Sequence, residues 1–195
     1  MSYISLDPVA QRSSYKPNET IEFLLNFENL EIILNSVRLS GDVKVRNATT
    51  DAVIDASDVV LMDHAVGFES LVSSYTTYFN DANDIVEYID EYPRMLKNVL
   101  TTKTSNLQMG MDSKYLTAGT SIGENATADV LDGDQNSHTA HFSLKPTICL
   151  NQTFSNIPYN KTKDIKLRIR LAPPDQVLFG TNAEDYTYTI ENLRL

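Results

Sequence analysis

The run Ile165-Lys166-Leu167-Arg168-Ile169-Arg170-Leu171 decides the fold. Four aliphatic residues alternate strictly with three cations, which is the two-residue period of a β-strand; a helix would scatter both sets around its circumference. One face of such a strand is buried and the other is wet. The same alternation recurs on both sides of this run. Ile21, Phe23, Leu25 and Phe27 oppose Glu22 and Asn26. Val37, Leu39, Val43 and Val45 share a phase across Gly41, with Ser36, Arg38, Ser40, Asp42, Lys44 and Arg46 opposite, and Gly41 suits a bulge or sharp bend. Ser73–Phe79 is rich in Tyr and Thr, and Ile85–Ile89 is short and β-prone. Phe142 and Leu144 alternate with His141, Ser143 and Lys145. Tyr186, Tyr188 and Ile190 hold one phase and Leu193 and Leu195 the other, so a bulge is expected near Glu191–Asn192.

Seven or eight strands with one wet face each require two sheets packed face to face. Helices do not alternate with the strands, which excludes a doubly wound α/β fold. One helix is predicted, because Tyr92, Met95, Leu96, Val99 and Leu100 share a helical face and Pro93 sits where a first turn tolerates it. It is expected to cover an end or edge of the sandwich. Residues 101–139 are polar, hold four of the chain's seven glycines and lack a sustained period. They read as one long inter-strand loop, of a length that is usually functional or mobile. The expected fold is therefore all-β: an antiparallel β-sandwich, a single jelly roll of about eight strands with one short helix. It forms one domain over residues 1–195, with residues 1–17 as an N-terminal arm.

Composition excludes several function classes. The formal charge of −10 is wrong for a surface that neutralises phosphates, so no direct nucleic-acid contact is expected. The apolar patches around Ile21–Phe27 and Ile32–Leu34 fall far short of the ~20 residues of a membrane span. The opening residues lack the basic and apolar regions of a signal peptide, which points to synthesis in the cytoplasm. Cys149 is the only cysteine; it reads as buried and inert and offers neither an internal disulfide nor a zinc cluster. Sequons at Asn18, Asn47, Asn125, Asn151 and Asn160 would stay unmodified without a secretory route.

Catalytic and metal signatures are sparse. Asp132-Gly133-Asp134-Gln135-Asn136 has the oxygen spacing that opens a calcium loop, but Ser137 stands where the turn glycine belongs and Ser143 where the closing glutamate belongs. A solvated acidic turn is the ordinary reading of these residues. His138 and His141 would face opposite sides of a strand, and with His64 they do not form the His-x-His pair of metal-binding cupins. Neither a Gly-x-Ser-x-Gly elbow nor a phosphate-cradling glycine loop is present. Asp90 and Glu91 precede the helix and suit its positive end. No catalytic, cofactor-binding or metal residue is assigned. Ten tyrosines leave a carbohydrate- or receptor-binding module open, although strand tyrosines more often pack in cores.

The order of segments resembles viral capsid jelly rolls, especially those of the Polinton-like virus and virophage lineage. The resemblance is carried by Tyr15–Asn18 before Thr20–Phe27, then Leu30–Ile32 leading into Leu34–Leu39. In mid-chain it is carried by Val66-Gly67-Phe68-Glu69-Ser70-Leu71-Val72, then Ile85–Ile89 and Tyr92. Near the end it is carried by Phe142–Leu144, Ile157-Pro158, Ile165–Leu171 and Tyr188–Leu195. Phe68, Glu69 and Tyr159 depart from the family's pattern. The resemblance implies a non-enzymatic capsid subunit in the virion of an icosahedral virus, with neighbouring capsid subunits as partners. One jelly roll's worth of strands fits a penton or minor capsid protein that forms pentamers at five-fold vertices. The alternative is one half of a double jelly-roll major capsid protein. Ser2–Ser14 is then expected to be an arm that orders against other subunits.

Overall fold

A computed structural model describes residues 4–26, 31–32, 37–52, 54, 60–62, 66–80, 84–101, 139–144, 157–158, 164–180 and 182–195. Strand β10 (Ile165–Leu171) is the alternating run. Its four aliphatic side chains are fully buried, and it hydrogen-bonds antiparallel to β2 (Thr20–Leu25) on one side and β6 (Val72–Phe79) on the other. β7 (Asp84–Ile89) pairs with β6 and completes a four-stranded sheet in the order β2-β10-β6-β7. A second four-stranded sheet has the order β1-β12-β4-β8, built from β1 (Ser14–Tyr15), β4 (Leu39–Asn47), β8 (Thr139–Leu144) and β12 (Tyr186–Arg194). Two short ladders stand apart: β3 (Glu31–Ile32) with β9 (Ile157–Pro158), and β5 (Leu61–Met62) with β11 (Leu178–Phe179).

Counting only the eight strands of the two large sheets in chain order, the first pairs with the eighth, the second with the seventh, the third with the sixth and the fourth with the fifth. The chain thus folds back on itself as one long antiparallel ribbon. Successive strand pairs of that ribbon go to alternate sheets, and the lateral pairings β12–β4 and β10–β6 close each sheet. This is jelly-roll topology, an antiparallel β-sandwich as the alternation predicts.

The core fills the space between the inner faces. Phe23, Val43, Phe142, Tyr188 and Ile190 are fully buried there, and Phe68 and Phe142 meet with ring centroids 5.9 Å apart. The Tyr188 hydroxyl donates to the Ala172 carbonyl at 2.5 Å, which satisfies a polar tip that would otherwise be costly to bury. Helix α1 (Tyr92–Thr101) forms where its apolar period predicts, with Pro93 in the first turn. Glu91 caps it by accepting from the Arg94 and Met95 amides, and its carboxylate pairs with Arg94. The helix packs on β6 and on the 3₁₀ turn Gly67–Leu71, with Tyr92 buried and Met95 and Leu96 against the core. A four-residue helix, α2 (Pro174–Val177), follows β10 and buries Val177.

Two expected irregularities turn out to be one. Asp42 pairs with Glu191 and Ser40 with Arg194, so Asn192 and Leu193 together oppose Gly41. The bulge lies on β12, where Asn192 takes a left-handed conformation (φ 51°) and its side-chain amide donates to Asp42 at 2.7 Å. Gly41 is not itself bulged; it is required because the bulged strand and a core ring crowd it. A Cβ there would lie 3.0 Å from Phe142 Cζ and 3.2 Å from both the Glu191 carbonyl and Ile190 Cγ2.

The described part of the expected arm packs on the chain's own sandwich. Leu6 exchanges backbone hydrogen bonds with Leu195, Val9 N donates to the Glu22 carbonyl, Ser14 and Tyr15 form β1, and Tyr15 is buried. The end of the β12 strand and the polar edge of β2 offer backbone groups that the segment satisfies locally.

Gly41→Ala is expected to lower stability by about 1–3 kcal/mol, the usual cost of overpacking a well-filled core. That exceeds the roughly 0.5–1 kcal/mol by which Ala ordinarily improves on Gly within a strand. The shift in urea midpoint measures it, and an unchanged or raised midpoint would contradict the crowding at Phe142.

Candidate functional site

The alternation that buries four residues of β10 turns Lys166, Arg168 and Arg170 onto the outer face of its sheet. The register sets their neighbours. Lys166 lies between Leu24 and Tyr78, Arg168 between Glu22 and Thr76, and Arg170 between Thr20 and Ser74. Glu22 bridges two of the cations, accepting from Arg168 Nε at 2.8 Å and from Lys166 Nζ at 2.8 Å. Partial burial raises the Glu22 carboxyl, but the hydrogen bonds and charges of Lys166 and Arg168 outweigh it and hold the group below its ordinary value. Arg168 also donates from Nη1 to the Tyr78 hydroxyl at 3.0 Å, and its guanidinium lies 5.2 Å from the Tyr78 ring centroid. Arg170 has no ion-pair partner among the described residues.

Edge strand β7 adds an apolar wall to this face. Thr77 pairs with Glu87 and Tyr78 with Ile85, so Val86 is the extra residue of a bulge. Ile85 beside Tyr78 and Tyr88 beside Thr76 each stand 63% exposed on the outer face, and Val86 is also exposed. The edge strand carries the charges of Asp84 and Glu87, and its three exposed apolar side chains stand among them. Between Ile85, Tyr88 and Tyr78 on one side and Arg168 and Arg170 on the other lies a shallow groove of about 380 Å³, to which Thr20, Ser74 and Thr76 also contribute. Strand periodicity assigns residues to faces, but β7 has apolar residues in both phases and the bulge switches the phase midway. The exposure of Tyr88 and Ile85 was therefore not readable from the sequence.

A second unusual site lies inside. The 3₁₀ turn Gly67–Leu71 is wholly buried; Gly67 takes φ 51°, and the Ser70 hydroxyl donates to the Gly67 carbonyl at 2.7 Å. This turn carries Glu69 into the core beneath helix α1. Neither Glu69 carboxyl oxygen, nor the Tyr75 hydroxyl, has a hydrogen-bond partner of ordinary geometry among the described residues. Tyr75 and Tyr92 meet edge to face, centroids 4.8 Å apart. Burial pushes the Glu69 carboxyl up to about 8, and the Tyr92 hydroxyl offsets only part of this. Burial, and then the charge of an ionised Glu69, raise both Tyr75 and Tyr92. At neutral pH Glu69 is therefore a protonated acid. Glu69 is one of the residues that depart from the capsid-like pattern, and no sequence signal distinguishes it from a surface glutamate.

His141 lies on β8, where Nδ1 meets Asp42 Oδ1 at 2.9 Å on the outer face of the other sheet. Asp42 is held below its ordinary value by hydrogen bonds from Asn192 and His141. Asp90 accepts from the Glu91 amide at the start of helix α1. Among the described residues, no three His, Cys, Asp or Glu side chains gather to hold a metal ion, and no helix is long and apolar enough to cross a membrane. Asp132, Asp134, Asn136, His138, His64 and Cys149 lie outside the described residues.

No protein-family model and no curated protein sequence matches the chain. Among solved structures, the crystal structure of the mavirus major capsid protein is similar over 98% of this chain and 44% of that chain, at 11% sequence identity and a TM-score of 0.45. The chain thus spans less than half the length of that protein.

Glu69 generates a pH prediction. Its carboxyl rises from an ordinary 4.5 to about 8 on folding, so folding takes up a proton between those values. The stabilisation it contributes is complete below pH 4.5, falls as pH rises toward 8, and levels off above that, at about 1.4 kcal/mol per pH unit in between. Glu69→Gln is expected to flatten the dependence of urea midpoint on pH between 5 and 8 and to be the more stable form at pH 8.5. Parallel profiles for the two proteins would show that Glu69 keeps its ordinary pKa.

Proposed function

We propose that this chain is a structural subunit of an icosahedral viral capsid, with a geometric rather than catalytic role. One observation carries the reading: the segments that resemble the capsid family fall, in order, on the corresponding parts of a jelly roll. Residues Thr20–Leu25 form β2, Val66–Val72 form the buried turn leading into β6, and Ile85–Ile89 lie on β7. Ile165–Leu171 form β10, and Tyr188–Arg194 lie on β12 with its bulge. Jelly rolls also serve lectins and cupins, so the topology alone would not choose among them.

In this reading residues 1–195 are one jelly-roll domain, residues 101–139 a loop toward neighbours, and the sandwich a rigid wedge around a closed symmetry axis. The chain is the five-fold vertex subunit, a penton or minor capsid protein that forms homopentamers beside other capsid subunits. It reaches the virion after synthesis in the host cytoplasm and makes no direct contact with nucleic acid. A second reading, a carbohydrate- or receptor-binding jelly-roll module, is favoured by a separate observation: the exposed Tyr88 and the Arg170 guanidinium, which has no ion-pair partner among the described residues, line one groove on the sheet face.

Light scattering and electron microscopy of the purified chain are expected to give a pentamer mass and five-fold rings. Trimers would indicate one half of a double jelly-roll capsomer instead, and a monomer at every concentration would remove the self-assembling vertex role.

A further inference from the structure

We infer that the groove on the outer face of the β2-β10-β6-β7 sheet is a binding site for a saccharide carrying a carboxylate or sulfate group. The inference deepens the binding-module reading and is independent of whether the chain builds a capsid.

Three features select this ligand class. First, the groove offers aromatic surface to solvent. Tyr88 is 63% exposed on strand β7, opposite Thr76, and Tyr78, half-buried and opposite Ile85, lines the same groove. Tyrosine rings present a large apolar face with little conformational entropy to lose, which suits stacking against a sugar ring. Second, the other walls bear hydroxyl groups, on Thr20, Ser74 and Thr76. A polyhydroxylated ligand exchanges hydrogen bonds with such groups at small desolvation cost. Third, the charge is cationic on a chain of net charge −10. Glu22 is committed to Lys166 and Arg168, so the cluster of those two cations, Arg170 and Glu22 retains a formal charge of +2, and Arg170 has no ion-pair partner among the described residues. A guanidinium at the end of the groove is the fork that carboxylate and sulfate oxygens accept from in pairs.

The geometry disfavours two other occupants. An extended peptide binds a sheet by adding a strand to its edge, through free backbone groups. The groove lies on the sheet face, where the backbone groups of β6 and β10 are spent on ladders to either side. A second copy of the chain would need roughly 800 Å² of contact per partner, a broad surface rather than a concave groove of about 380 Å³.

The test is calorimetric titration of the full chain with 3′-sialyllactose, a sulfated heparin disaccharide and lactose, with light scattering on the same samples. The expected result is saturable binding of at least one of the two anionic saccharides, with lactose at least about tenfold weaker, as one lost charge-assisted contact implies. Which of the two binds separates a carboxylate site from a sulfate site. Arg170→Gln is expected to reduce the anionic saccharide to the lactose level. Tyr88→Ala is expected to weaken anionic and neutral saccharides alike, by about two- to tenfold. Both side chains are exposed, so neither substitution threatens the fold. Equal affinity for lactose and the anionic saccharides, or unchanged binding in Arg170→Gln, would overturn the proposal. So would the absence of any saccharide binding; if Tyr88→Ala then lowered the mass in solution, the groove would be a contact between copies. Assembly is read separately by mass, so loss of the pentamer with saccharide binding intact would count against the capsid reading alone.

Discussion

The burial of one face of β10 is the constraint on which the rest of the structure depends. Ile165, Leu167, Ile169 and Leu171 lose essentially all contact with water, each worth about 1.5–3 kcal/mol. A strand period of two then leaves no choice for Lys166, Arg168 and Arg170, which must stand on the opposite face. Because β10 is central, its register also places both neighbours, and with them Glu22 and Tyr78 beside the cations. A slip of one residue would carry three charges into the core and empty the outer face of its chemistry. The hydrophobic core and the cationic groove are two consequences of the same register.

Two glutamates show how position on this scaffold sets chemistry. Glu22 lies on the wet face between Lys166 and Arg168, and it stays ionised to lower pH than usual because two cations outweigh its partial burial. Such a half-exposed ion pair fixes side-chain geometry more than it stabilises the fold. Glu69 has no cation among its described neighbours and is enclosed by the sandwich and helix α1, so it keeps its proton instead. The neutral acid sits on the turn before β6, beside Tyr92 at the start of the helix. Ionising it would place a charge in the core between the helix and the sheet it covers, with two buried tyrosines that cannot share the load by ionising.

The jelly-roll ribbon also distributes opportunity for contact. Pairing of first with eighth and second with seventh strands makes most ladders long-range, so the sheets close only when distant segments meet, a pattern associated with slow folding. Such a sandwich leaves β7 at the edge of its sheet. The Val86 bulge and the exposed Ile85 and Tyr88 are concentrated there, where substitutions cost the core nothing. Function on this fold is therefore free to vary on sheet edges and faces while the inner faces hold the topology.

The sequence by itself determined the all-β class, the positions of the seven longer strands β2, β4, β6, β7, β8, β10 and β12, the helix beginning at Tyr92 and a bulge near Glu191–Asn192. Each of these is a local consequence of side-chain period, proline chemistry or a phase change, and each survives translation into three dimensions. Only the tertiary structure decided that Gly41 answers the bulge of the opposite strand, because that crowding arises across a ladder of residues 150 positions apart. It also sorted the tyrosines: Tyr75, Tyr92 and Tyr188 buried, Tyr78 and Tyr88 on the groove. In Asp84–Ile89 apolar residues occupy both phases, so periodicity could not say which faced water until the pairing with β6 fixed it. Glu69 was the least readable, since burial of a carboxyl is set by what surrounds it in space, and nothing in the neighbouring sequence records that enclosure.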